Sequence, residues 1–343
     1  MRRIHRYNKM GRKVRKSTPT PGDVHVNRPL TNMSVLYAQS LEKFQADNLA
    51  PIMSSENRSD SFFKFTKDAW FRDEMKERGP GTEAVEAGYG ITTDSFSCIP
   101  YAVRKPISDM VRANEDTPLN SDRNAMQFVT RLERIKRERK FAAAVYNTGI
   151  WSTNKTGVAG VPVAQQFKQW NDQASTPIED VTAWCTEMEL LTGFRPNVLS
   201  MGQQVWDALK NHPDLIDRLK YGGQLQGTLS KVTKEMVAAL FELDEIVVHS
   251  AIYNSAIEGA TFAGGYIVGK QLLLQYRDSG AGVEGVTAVR TFTWRRYLGA
   301  ANGYRIKKYR LEQYESDYVE MQSCFIHKVI AADLGLYAAS VVA

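Results

Sequence analysis

A long amphipathic stretch between Pro118 and Gly149 constrains the fold of this chain more than any other part of the sequence. Apolar residues recur there at intervals of three and four, the spacing of one face of an α-helix; they are Ala125, Phe128, Val129, Leu132, Ile135, Ala142, Val145 and Tyr146. The other face carries the charged residues Arg131, Glu133, Arg134, Lys136, Arg137, Glu138 and Arg139. Because cap-type residues precede the stretch and a glycine follows it, the pattern predicts one helix over residues 120–148, roughly 40 Å long. Such a helix suits a protein that is long in one direction and contacts neighbours on several sides.

The length and composition are those of a folded protein with more than one domain. A chain of 343 residues exceeds one ordinary hydrophobic core, and 43% hydrophobic with 24% charged residues is usual for a soluble protein. Cys98, Cys185 and Cys324 are far apart and lack a C-x-x-C or histidine partner at ligand spacing. Neither a disulfide framework nor a zinc site is therefore predicted, and a reducing compartment is the simplest inference.

Positive charge is concentrated at the N-terminus. Eight basic residues precede the first acid at Asp23, namely Arg2, Arg3, Arg6, Lys9, Arg12, Lys13, Arg15 and Lys16. Subtracting these eight charges from the net +6 of the chain leaves −2 for the remainder. The segment could contact nucleic acid or an acidic partner, or it could be a solvated tail without a fixed partner. No run of about 18 apolar residues occurs, so we predict no membrane-spanning segment.

A long hairpin is predicted between the N-terminal segment and the helix. Ser61–Phe71 and Tyr89–Lys105 are rich in aromatic and β-branched residues with partial alternation. Residues 72–88 between them form a charged connection with a Gly-Pro-Gly break and too few apolar residues for a core. A two-stranded ribbon of this size is marginal alone, so it needs a neighbour to pack against.

The second half of the chain reads as an α/β domain followed by β-rich segments. Helices are expected over 178–192, 203–211, 213–221 and 232–241, with buried strands within 194–202 and 245–253. Further strands are expected over 262–268, 271–277, 286–297, 304–313 and 319–329. The apolar C-terminal tail should be buried, either in this chain's core or in a partner's.

Known catalytic and ligand-binding motifs are missing. The sequence contains neither G-x-S-x-G nor H-E-x-x-H, and its glycine-rich pieces do not match a phosphate-binding loop. His249, within a strand-like run, is most simply a sheet histidine with a satisfied hydrogen bond. We predict no catalytic residue, cofactor or metal, although an α/β enzyme with a β-rich appendage remains an alternative.

The order of these parts resembles a known family of shell proteins. The stretches that carry the resemblance are RGPGTEA at 78–84, the run from Phe194 to Tyr221, LDEIVVHSAIYN at 243–254 and the terminal IHKVIAADLGLYAASVVA. They resemble the Hong Kong 97-type major capsid protein of tailed bacteriophages, whose fold is shared with encapsulins. The resemblance covers nearly the whole chain.

This resemblance implies an α+β fold with four parts. They are an N-terminal arm at 1–48, an extended hairpin loop at 61–105, a peripheral domain, and an α/β axial domain. The peripheral domain would comprise 49–60, 106–175 and 286–327 and hold the long spine helix; the axial domain would comprise 176–285 and 328–343.

The implied function is that of a structural subunit without enzymatic activity. It would assemble as pentamers and hexamers into an icosahedral phage head around double-stranded DNA, in the host cytoplasm and then as part of the virion. Portal and scaffolding proteins are implied partners, and a decoration protein is possible. The alternative within the same fold is an encapsulin compartment, which holds enzyme cargo instead of a genome.

Contact residues follow from the same resemblance. The hairpin would lie across an adjacent subunit, residues 298–304 would form a loop near three-fold contacts, and residues 212–227 would lie toward the centre of each capsomer. The candidate inter-subunit contacts are Phe63, Phe65, Trp70, Phe71, Arg72, Tyr89, Phe96 and Asn302. The basic residues Arg2, Arg3, Arg6, Arg12, Lys13, Arg15 and Lys16 would contact DNA or a scaffolding protein.

Overall fold

The computed structural model describes residues 39–65, 67–115, 120–221, 232–278 and 285–343. Within them, helices α1 to α9 span Ala46–Leu49, Lys67–Trp70, Asp109–Ala113, Ser121–Val145, Pro177–Thr192, Gln203–Leu209, Pro213–Tyr221, Lys234–Leu240 and Arg295–Leu298. Strands β1 to β8 span Ile52–Ser55, Ser59–Phe65, Ile91–Ser97, Ile99–Ser108, Thr153–Val158, Gln166–Lys168, Val198–Gly202 and Glu245–His249. Strands β9 to β15 span Ile252–Asn254, Gly264–Tyr266, Leu272–Gln275, Val289–Trp294, Tyr304–Leu311, Ser316–Val329 and Gly335–Ala339. None of the described helices is both long and apolar enough to span a lipid bilayer.

The predicted long helix is confirmed as α4. The Asn120 side-chain oxygen accepts a hydrogen bond from the Arg123 amide at 2.8 Å, which satisfies one of the free N–H groups at the start of the helix. The interpretation of the charged residues as a polar face is wrong for Glu133, Arg137 and Glu138. Their exposed fractions are 4%, 1% and 1%, because partners elsewhere in the chain surround them.

The described residues divide into two compact units. The smaller unit contains Ala102–Leu132 and Ile306–Gln322. In it, Arg112 bridges Asp122 at 3.1 Å and Asp317 at 2.6 Å, which ties the start of α4 to β14. Strand β14 pairs with both β13 and β4.

The larger unit contains Gln39–Tyr101, Glu133–Arg305 and Ser323–Ala343, and it is organised around a mixed sheet. Among the described residues this sheet has six strands in the order β6-β5-β15-β11-β7-β8. Strand β11 is antiparallel to both its neighbours, whereas β5 pairs in parallel with β15 and β7 with β8. Sequence analysis predicts one strand over 245–253, but the structure divides it into β8 and β9.

Side-chain alternation gives this sheet two covered faces. Leu272 and Leu274 of β11 point into a core that includes Trp170 and Trp184, whose rings stack at 5.9 Å. Leu273 points to the opposite face and packs in a second core with residues of α4. Because both faces are covered, the central strands carry continuous apolar runs.

The C-terminal tail completes the first of these cores. Val341 and Val342 are 0% and 6% exposed and lie in the cluster around the sheet. The prediction of a buried chain end is confirmed, and the covering residues belong to this chain.

A separate apolar cluster lies beside strand β12. It includes Phe96, Cys98, Phe292 and Cys324. Strand β12 pairs in parallel with β1 and antiparallel with β14. This cluster is where the predicted hairpin joins the rest of the larger unit.

Candidate assembly surfaces

Two paired strands confirm a hairpin over residues 59–97, which we call the flap. The predicted strands 61–71 and 89–105 were too long, because residues 67–70 form α2 and residues 99–105 belong to β4, which pairs with β14. Strands β2 and β3 pair antiparallel, from Ser59 opposite Ser97 to Phe65 opposite Ile91. Alternation sets the two faces of β2. Phe62 points inward and stacks on Phe292 at 5.6 Å between ring centroids, while Phe63 points outward and is 71% exposed.

The root of the flap is anchored to its own chain. Phe96 is only 6% exposed and stacks on Phe292 with ring centroids 4.0 Å apart. Asp94 pairs with Lys328 at 2.5 Å and with Lys64 at 3.0 Å. Hydrogen bonds from these two ammonium groups lower the pKa of Asp94 to about 2. The surface of Phe96 is therefore already covered within the subunit.

A second contact lies where β2 leads into α2. The Lys67 ammonium donates to the Asp333 carboxylate at 2.6 Å and to the Leu191 carbonyl at 3.2 Å. Phe71 follows and lies against Gly193, the residue that ends α5.

The flap tip, which we define as residues 72–90, is exposed. A turn at its predicted Gly-Pro-Gly break is closed by the Thr82 amide and hydroxyl, which donate to the Gly79 carbonyl at 3.2 and 2.8 Å. Several apolar side chains on or next to the tip face solvent: Trp70 at 63%, Met75 at 92%, Val85 at 51% and Tyr89 at 59% exposed. Exposed apolar side chains on an otherwise polar segment are typical of protein–protein contact surfaces.

The loop at 298–304 is shaped by two glycines. Gly299 and Gly303 have φ values of 70° and 76°, in the left-handed region that favours glycine. A Cβ on Gly303 would lie 2.5 Å from Cγ2 of Thr293, so no other residue fits there. Asn302 is exposed at the end of this loop, and its carbonyl accepts a hydrogen bond from Arg137 at 3.2 Å.

Arg137 belongs to a buried ion network that sequence reasoning missed. The network consists of Asp47, Glu133, Arg134 and Arg137 together with Glu138 and His249. Asp47 receives Arg134 and Arg137 on its two carboxylate oxygens, each at 2.6 Å. Burial raises the pKa of Glu133 despite both arginines. Because buried charges are tolerated only when paired, the network fixes α4 against the segment around Asp47.

Glu138 extends the network into the sheet. One carboxylate oxygen accepts from the Gln45 and Ala46 amides at 3.0 and 2.9 Å, and the other lies 2.7 Å from Nδ1 of His249. Nε2 of His249 lies 2.9 Å from the Tyr146 hydroxyl, which is a further 2.7 Å from the Ser200 hydroxyl. The interpretation of His249 as a hydrogen-bonded sheet histidine is confirmed. This series of hydrogen-bonded side chains joins the segment around Ala46 to α4 and β8. Its side chains are buried, so none of them is exposed to solvent as a reactive group.

The structure thus separates the candidate contact residues by environment. Phe63, Trp70, Phe71, Arg72, Tyr89 and Asn302 are exposed, Phe65 is the last residue of β2, and Phe96 is buried. The residues from Arg2 to Lys16 and residues 222–227 of the predicted capsomer-centre segment lie outside the described residues. Within the described part of the chain, no group of three or more acidic, histidine or cysteine side chains is placed to hold a metal ion.

Comparison with known proteins shows which proteins this chain is similar to. Residues 160–261 match the family described as Phage major capsid protein E. The major capsid protein of Burkholderia phage BcepMu is 23% identical over 234 residues, which cover 66% of this chain and 70% of that relative. The chain is thus similar in sequence to phage major capsid proteins.

Solved structures agree with the fold. A phage-related protein from Bordetella bronchiseptica RB50 is similar with a TM-score of 0.64 and 19% identity, over 88% of this chain and 94% of the other. The capsid structure of cyanophage P-SCSP1u is similar with a TM-score of 0.56 and 12% identity, over 94% of this chain and 98% of the other. The SrpI encapsulin of Synechococcus elongatus PCC 7942 is similar with a TM-score of 0.51 and 10% identity, over 92% of this chain and 95% of the other. The chain therefore has the Hong Kong 97-like fold, as the sequence predicts.

Proposed function

We propose that this chain is a phage major capsid protein, and that many copies of it assemble as pentamers and hexamers into the icosahedral head of a tailed phage, which encloses double-stranded DNA. The observation that carries the proposal is the exposed flap tip, where apolar side chains such as Met75 and Tyr89 are left in solvent by the isolated subunit. A shell subunit needs such surfaces because each copy must bind several others.

In the assembled shell, the flap tip crosses to an adjacent subunit. The exposed residues Phe63, Trp70, Phe71, Arg72 and Tyr89 supply this contact, and the loop with Asn302 lies near three-fold contacts. Phe96 contributes indirectly, because it holds the flap root in place. Residues 1–48 form the arm, residues 49–60, 106–175 and 286–327 the peripheral domain, and residues 176–285 and 328–343 the axial domain.

The remaining proposed partners are those that shell assembly and DNA packaging require. The basic N-terminal residues contact packaged DNA or a scaffolding protein, one vertex carries a portal, and a decoration protein could bind outside. Assembly takes place in the host cytoplasm.

Electron microscopy of the purified protein tests the proposal. Closed shells with five-fold and six-fold capsomers are expected, alone or with the phage's scaffolding protein. A monomer at every concentration and salt condition, with that scaffold present, would contradict it. Particles filled with enzyme cargo instead of DNA would favour the encapsulin alternative, whose fold is the same.

A further inference from the structure

The second contact of the flap has the properties of a reversible latch. It consists of Lys67 and Phe71 on the flap, and Leu191, Gly193 and Asp333 on the receiving surface. The Asp333 carboxylate is held in position, because the Ser152 hydroxyl donates to its other oxygen. Burial alone would raise the pKa of Asp333, but the hydrogen bonds from Lys67 and Ser152 outweigh it and lower the pKa. The Asp333 carboxylate is therefore ionised at neutral pH.

Its receiving surface is shaped for an aromatic ring. Gly193 ends α5 with a φ of 72°, and a Cβ there would lie 3.0 Å from Cε1 of Phe71. The ring covers the backbone without being enclosed, since Phe71 remains 64% exposed.

The latch is weak compared with the flap root. The side chains of Lys67 and Asp333 are 46% and 36% exposed, so water screens their attraction. Phe96 at the root, by contrast, is 6% exposed. The two contacts differ in kind: the root is part of the core, whereas the latch can open without unfolding the subunit.

We propose that the latch holds the flap on its own subunit before assembly and opens when a second copy of the chain takes up the flap tip. The inference rests on the proposed function, in which the tip crosses to a neighbour. A subunit with a closed latch presents its tip in a fixed, self-docked direction. Opening the latch then accompanies each inter-subunit contact of the tip and costs free energy, so it raises the subunit concentration that assembly needs.

Zero-length cross-linking tests the latch directly. A carbodiimide joins an amine and a carboxylate as an amide only when they touch, and Lys67 and Asp333 do so at 2.6 Å. Mass spectrometry should find a Lys67–Asp333 link in unassembled subunits. In particles assembled from an equal mixture of ¹⁴N- and ¹⁵N-labelled subunits, the intrachain link should fall at least fivefold, or be replaced by a link of mixed isotope composition.

Two outcomes would overturn the proposal. One is the absence of the link in soluble subunits, whether or not particles form. The other is an intrachain link of equal yield in particles, which would make the contact a permanent anchor. Formation of particles by the unmodified protein is a separate observation and tests the proposed function alone.

A matched pair of substitutions measures the effect on assembly. Lys67→Gln removes the latch ion pair. The control Lys210→Gln removes an ion pair with Asp207 that has the same 2.6 Å separation and similar side-chain exposure, but joins residues only three positions apart. Lys67→Gln should lower the subunit concentration at which particles appear by roughly 1.5- to 5-fold, the range expected for an exposed ion pair. Lys210→Gln should leave that concentration unchanged. An unchanged or higher threshold for Lys67→Gln would contradict a latch that opposes assembly.

Discussion

Glu138 holds together three segments that are remote in sequence. Its partners Ala46 and His249 lie 92 and 111 residues away. The periodicity of α4 places Glu138 among charged residues, and a local pattern cannot show that a buried backbone and a histidine will meet it there. The helix itself was predictable because its signal is local, whereas the burial of Glu133, Arg137 and Glu138 depends on tertiary contacts.

Replacing Glu138 should destabilise the subunit strongly. Glu138→Gln loses the charge that pairs with His249 and weakens the acceptor for the Gln45 and Ala46 amides, so we expect a loss of about 2 kcal/mol in the free energy of unfolding. Urea denaturation of unassembled subunits measures it. The control Glu179→Gln removes an ion pair with Arg218 whose side chains are 53% and 56% exposed. It should cost about 0.5 kcal/mol or less. Equal losses of unfolding free energy in both variants would show that Glu138 stabilises the fold no more than an exposed ion pair does.

His327 should make folding sensitive to acid. Burial, helped by the nearby Arg137 charge, lowers its pKa from 6.5 to about 3. The unfolded chain therefore binds a proton before the folded chain does, and stability falls as pH drops below 6.5 toward 3. Between about pH 7 and about pH 5 this one group should remove about 2 kcal/mol.

The variant His327→Gln isolates that contribution, since glutamine does not titrate. Urea unfolding at both pH values should show a smaller loss in the variant than in the unmodified protein, by about 2 kcal/mol. A pH dependence unaffected by the substitution would mean that other groups cause it.

At the scale of elements, the flap shows what alternation can and cannot predict. The period of two in β2 correctly separates inward from outward positions, and the Gly-Pro-Gly break correctly marks a turn. Phe96 was predicted as an inter-subunit contact because the resemblance implies that the hairpin lies across an adjacent subunit. Its actual neighbour, Phe292, lies in a strand that the hairpin pattern does not reveal.

The root and tip of the flap should respond differently to substitution. Phe96→Ala removes a buried ring that stacks on Phe292 and should reduce the free energy of unfolding by about 3 kcal/mol. Phe63→Ala, on the 71% exposed face, should change subunit stability by less than about 0.5 kcal/mol while impairing particle formation. Urea unfolding and sedimentation of assembly reactions measure the two effects. Normal assembly of the Phe63 variant would remove Phe63 from the inter-subunit contact.

At the scale of the whole molecule, the element order after Pro177 was largely predictable, but strands β5 and β6 and the strand pairing were not. Alternating helices and strands after Pro177 indicate an α/β arrangement, yet nothing local shows that β15 at the C-terminus pairs with β5. That pairing brings together Leu336 and Thr153, which are far apart in sequence, and it is decided by which apolar faces remain to be covered. The resemblance to a known capsid family suggested the division into arm, hairpin loop and two domains, but it did not supply this pairing.

The basic N-terminal arm provides a test at the scale of the complete shell. Its eight positive charges precede the first acid, and the rest of the chain sums to −2, so the attraction of the subunit to an acidic partner should reside in these residues. A variant with residues 2–16 deleted should therefore lose packaged DNA or co-assembled scaffold, and a variant with the same eight residues changed to glutamine should behave alike. The glutamine variant keeps the length of the arm, so it separates charge from simple extension. Particle yield, DNA content and scaffold content, measured over a series of salt concentrations, distinguish the two partners. Unchanged assembly and packaging in both variants would show that the arm is a solvated tail.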